Sequence, residues 1–260
     1  MNKLFSFFGL KKPKSNEVPV VVLLLILDII LRPLNALYWA ISSITGWQFK
    51  GIYVSQRNSI VHAIAQRIVK QYGGEEPPAW AFGPFYTIRC DMLDADYAHA
   101  RQLGKIFKDD PKKILLGELV RHEQTHCHQW LKEGVLFNYL YTISATHAIR
   151  AEAEATVSQF FFYKELADKL EGEEKAEAHA FVDTIIGNAG GQLATVFSKG
   201  AVPCKDLLNH SELSLWLTTM DTYIDFTEKF NVNQKVVEKL KQAREEHLDK
   251  QLQAAYSTEI

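Results

Sequence analysis

From Val18 to Trp47 the chain reads VPVVVLLLILDIILRPLNALYWAISSITGW, an apolar run interrupted by Asp28, Arg32 and Pro33. Such a run predicts an apolar N-terminal helix, in which the four-residue spacing of Asp28 and Arg32 lets the two charges pair. Further on, GIYVS at 51–55 and PFYTIRCDML at 84–93 combine β-branched and aromatic residues between Gly and Pro, and each predicts a short strand. Between them Ile60, Ile64 and Ile68 recur at helical spacing, with Ser55 or Ser59 as cap and Gly73–Gly74 as stop. From Pro111 onward the period is helical almost to the end, with breaks expected at Gly134, at Gly172, at the GNAGG run from Gly187 to Gly191, and at KGAVPC. The last segment, NQKVVEKLKQAREEHLDKQLQAAY, is rich in charge and sparse in apolar positions, which predicts a solvated terminal helix. The expected fold is therefore mainly α, a helical bundle-like core with a small β element early in the chain and an apolar N-terminal helix. Three segments follow: 1–47, basic then apolar; 48–171, the core; and 172–260, a helical extension.

A length of 260 residues with 47% hydrophobic content suffices to bury a full core. The net charge of -2 leaves no basic footprint, so nucleic acid is not an expected partner. Three cysteines, Cys90, Cys127 and Cys204, are widely spaced and odd in number, which predicts free thiols, with Cys127 a small buried hydrophobe. Lys3, Lys11, Lys12 and Lys14 precede the apolar run and alter its reading. Basic residues before an apolar helix point to a membrane, either as a single-pass anchor or as a helix lying in the interface, against the alternative of a helix packed on the protein's own body. The expectation is membrane association through residues 18–47, with the remainder cytoplasmic. Asp28 inside the apolar region, and the lack of a small-x-small site after it, argue against a cleaved signal peptide.

The candidate chemistry lies in LVRHEQTHCHQW, Leu119 to Trp130. Asp109 and Asp110 favour the positive end of a helix, Pro111 fits its first turn, and Gly134 follows its last periodic residue, so a helix from Pro111 to Glu133 is expected. At 100° per residue Leu115, Leu119, His122 and His126 share one stripe, and the two imidazoles can address a single ion. With Glu123 between them they form H-E-x-x-H, in which two histidines grip Zn²⁺ from adjacent turns while the glutamate reaches a water on the ion. His128 projects to another face and is expected beside the site or at the surface. Gln129 and Lys132 stand where the metzincin pattern has a Gly and a third His, so a third ligand must come from elsewhere. A second helical run, THAIRAEAEATVSQFFFY, offers Glu152 and Glu154 among alanines that would let two helices approach closely.

HEQTH, the following Gln129, the aromatic connection LFNYLY and the Glu152–Ala155 stretch together resemble the gluzincin-type zinc metallopeptidases, in particular the small bacterial and phage-borne domains of mostly uncharacterised function. The resemblance covers about Phe85 to Tyr163. It implies a zincin-like core with one Zn²⁺ held by His122, His126 and Glu152, with Glu154 as the alternative third ligand; the two glutamates lie 200° apart on a helix, so only one can face the ion. It also implies Glu123 as general base in the hydrolysis of a peptide or protein substrate. His147, Tyr139 and Tyr141 are candidate oxyanion donors. Many members place an Asp four residues after the ligand glutamate to orient a zinc histidine, and here Thr156 occupies that place. The alternative is a catalytically weak or inactive zinc-binding structural or interaction protein on the same scaffold.

Overall fold

The computed structural model describes residues 18–54, 79–88, 98–202 and 204–258. Among these residues there are eight α-helices and a small three-stranded sheet: α1 (Val18–Thr45), β1 (Ile52–Tyr53), β2 (Ala79–Phe82), β3 (Phe85–Ile88), α2 (Ala98–Phe107), α3 (Pro111–Glu133), α4 (Phe137–Ile143), α5 (Ala145–Asp168), α6 (Gly172–Ser198), α7 (Glu212–Lys229) and α8 (Gln234–Thr258). The fold is mainly helical, with its sheet early in the chain. The helix expected over 55–74 lies outside the described residues.

Both expected strands form, at Ile52–Tyr53 and Phe85–Ile88, and pair in parallel. Residues 89–93 of the second lie outside the described residues. The chain adds a strand that its sequence did not announce, β2, antiparallel to β3 with Phe82 opposite Phe85. A two-residue turn joins them. Gly83 has φ +60°, the conformation a type II′ turn needs first, and Pro84 fixes the negative φ that follows. Asn138 holds this turn by accepting from Gly83 N at 3.1 Å. The sheet packs on α3 through Ala79, Tyr86 and Ile88, which enclose Cys127. Cys127 is fully buried, and Cys127 and Cys204 are both free thiols.

Helix α3 has the bounds its sequence predicts. Asp110 caps it by accepting from Lys112 N at 2.9 Å, Pro111 fills the first turn, and Gly134 ends it at φ +99°. The main core lies on its other side, a cluster that includes Ile114, Phe160 and Tyr163 of α5, Val182 and Ile186 of α6, and Tyr223 of α7. The SQFFFY segment thus serves packing.

Two expectations are corrected. The GNAGG run does not interrupt the chain but lies inside α6. Gly190 is needed there because a Cβ would come 2.7 Å from the buried Tyr223 ring, so the glycine lets α6 and α7 close up. Helix α8 is not solvated throughout, since Val236, Val237 and Leu240 enter the main core, while farther along the helix His247 stacks on Trp216.

Helix α1 packs against α3 through polar residues. Asp28 is 1% exposed and ion-paired to Arg32 at 2.7 Å, Asn35 Nδ2 donates to Leu131 O at 2.5 Å, and Tyr38 Oη bonds His128 Nδ1 at 2.5 Å. A Cβ at Gly134 would collide with Asp28 Oδ1, so only glycine admits this contact. Among the described residues no helix is long and apolar enough to cross a membrane.

Candidate metal centre

Helices α3 and α5 run against each other closely enough for a glutamine side chain of one to reach the backbone of the other. Gln129 Nε2 donates to Ala151 O at 3.1 Å, and Thr125 Oγ1 meets Ser158 Oγ at 2.7 Å. The alanines of α5 make this approach feasible: Ala148, Ala151, Ala153 and Ala155 are all buried. Across the contact His122 Nε2 lies 3.1 Å from His126 Nε2 and 3.1 Å from Glu152 Oε2, while His126 Nε2 lies 3.4 Å from Glu152 Oε1. Tetrahedral zinc with arms of about 2.0–2.1 Å separates its donors by roughly 3.3 Å, and the two imidazole nitrogens, each facing one oxygen of the Glu152 carboxylate, are spaced as ligands of one such ion.

The orientation of His126 follows from its neighbours. Gln129 Nε2 is committed to two acceptors, Ala151 O and Glu154 Oε2, the latter at 2.8 Å, so its Oε1 faces His126 Nδ1 at 2.9 Å. An amide oxygen only accepts, so Nδ1 carries a proton and Nε2 is the nitrogen turned to the cluster. Gln129 is 1% exposed. Glu152 is fixed in turn by Tyr141 Oη, which donates to Oε1 at 2.5 Å.

Glu123 is close enough to the cluster to feel the charges of His122, His126 and Glu152. It is 5% exposed, and its Oε2 has no hydrogen-bond partner. Burial pushes its carboxyl up to about 7, against the partial offset of His122 and His126. A buried carboxylate with an idle oxygen beside three convergent ligands is what a proton acceptor for a bound water requires. Burial disfavours charge on His126, yet the facing Glu152 carboxylate outweighs it and brings the imidazole up to about 9. On Glu152 burial is likewise outweighed, by His126 and His122, which hold the carboxyl well below the usual carboxylate range. The cluster thus draws positive charge as protons where a divalent cation can take their place.

The remaining candidates divide. Tyr141 donates to Glu152; the carbonyl of Tyr139 accepts from Thr142. His147 packs on Phe137 and lies 3.6 Å from Glu133 Oε2, too far for a hydrogen bond, and burial with help from Arg150 brings its imidazole down to about 4. Glu154 lies outside the cluster and supports Gln129. Thr156 is half-buried and bonds to neither histidine; the orienting task falls to Gln129. The three-residue spacing of His126 and Gln129 placed them on one helical face, which was the available signal for this contact. His128 points away from the cluster to Tyr38, and burial lowers its pKa. Comparison with protein-family models, curated proteins and solved structures found no match.

Proposed function

We propose that this chain is a zinc-dependent hydrolase of the metallopeptidase type, cleaving peptide bonds in a peptide or protein substrate. His122, His126 and Glu152 hold one Zn²⁺, and Glu123 is the general base. The observation that carries this reading is the convergence of two imidazole nitrogens and one carboxylate, 3.1–3.4 Å apart, with the unpartnered Oε2 of Glu123 near them. The resemblance of HEQTH and the Glu152–Ala155 stretch to gluzincin-type enzymes supports it. Bound there, Zn²⁺ polarises a carbonyl and acidifies water. Glu123 accepts the proton of the attacking water and returns it to the leaving amine. Gln129 holds His126 in the tautomer that presents Nε2, and Tyr141 holds the Glu152 carboxylate in place.

A second reading, a zinc-binding structural or interaction protein, is favoured by how enclosed the ligands are: their side chains are 10–18% exposed. Glu123→Gln separates the two. The hydrolase reading expects the zinc-loaded wild type to cleave an unstructured protein such as casein, and the variant to retain zinc but lose about 10²–10⁴ in rate. Zinc-loaded wild type that cleaves no peptide, or a variant as active as wild type, leaves the structural reading standing instead.

A further inference from the structure

Helix α1 is amphipathic in the reverse of the usual sense. The side against α3 carries Asp28, Asn35 and Tyr38, hydrogen-bonded or ion-paired as described. Its other side carries Ile26, Ile30, Leu34, Leu37, Ile41 and Ile44 at spacings of three and four, each 43–85% exposed. A surface helix of a soluble protein turns such a stripe inward. Here the inner contacts are already made by polar groups, and none of the described residues covers the outer stripe. It runs from Ile26 to Ile44, about 27 Å of helix.

We infer that this stripe enters the surface of a lipid bilayer carrying anionic headgroups, with α1 lying in the plane of the interface. Two features identify lipid as the occupant. The residues before the helix include Lys3, Lys11, Lys12 and Lys14, which complement anionic headgroups beside an apolar helix. Just past the other end of the helix Trp47 is 53% exposed, and tryptophan partitions to the headgroup level. Because Asn35 and Tyr38 bond to Leu131 and His128 of α3, the helix of the metal centre is held against the back of the membrane helix. Five residues separate Leu131 from His126, about 8 Å along the axis. The site therefore works beside the membrane surface. The docking itself does not depend on the metallopeptidase reading.

The test is flotation of the full chain with vesicles of phosphatidylcholine and phosphatidylglycerol. Wild type floats; Ile30→Glu/Leu34→Glu/Leu37→Glu, substituted on the exposed stripe, binds about tenfold more weakly or worse while keeping its helical circular dichroism. Lys11→Glu/Lys12→Glu/Lys14→Glu leaves the helix untouched, and its binding to the mixed vesicles drops while that to pure phosphatidylcholine does not. Wild type that stays unbound, including wild type that elutes as a stable dimer and does not float, overturns the proposal. So does a stripe variant, or a lysine variant, that floats as well as wild type.

Discussion

His126 has one tautomer open to it because Gln129 offers its Nδ1 only an acceptor, and Gln129 in turn is locked by Ala151 O and Glu154. Gln129→Leu keeps most of the volume and removes that acceptor, leaving a buried N–H unpaired. Zinc affinity is expected to fall by about 10–100-fold, read by competition with a chromophoric chelator; an affinity equal to wild type would mean that His126 needs no such support. His122, Glu123 and His126 were legible in the sequence because helical spacing alone places two imidazoles on one face. The choice of Glu152 over Glu154 came from resemblance, and the structure puts Glu152 beside the histidines. The task of Gln129 was hidden, since its amide orientation is set by a helix some twenty residues further on. Thr156 bonds to neither histidine, and the contact that fixes His126 comes from Gln129 on α3 itself.

Among the elements, α3 was readable to the residue, because Asp110, Pro111 and Gly134 are local stop and start signals that tertiary packing did not override. The glycines of α6 were misread as a break because their meaning is not local. Gly190 faces Tyr223, whereas a Cβ at Gly191 would meet nothing within 4 Å. Two neighbouring substitutions should therefore differ in sign. Gly190→Ala crowds a buried ring and costs about 1–3 kcal/mol, while Gly191→Ala removes unfolded-chain freedom and gains roughly 0.5–1 kcal/mol. Urea denaturation of both variants checks this; equal shifts in the same direction would contradict the packing assigned to Gly190. Strand β2 escaped the sequence reading because AWAF is short and alternates small with large, and what makes it a strand is its partner β3 across the Gly83–Pro84 turn.

At the scale of the whole molecule α3 is the common wall: Cys127 faces the sheet, His122 and His126 face α5, and His128 faces α1. The helix of α1 and its Asp28–Arg32 pair were legible, but hydropathy along a chain has no direction, so the outward turn of the aliphatic stripe emerged only with its neighbours in place. The central claim is that two imidazoles and one carboxylate share a cation. Zinc content of the purified full chain, measured by plasma mass spectrometry beside His122→Ala and Glu152→Gln, tests it most directly. About one zinc per chain in wild type, lost in both variants, is the predicted result; wild type that stays zinc-free after incubation with the metal, or variants that hold as much as wild type, would contradict it.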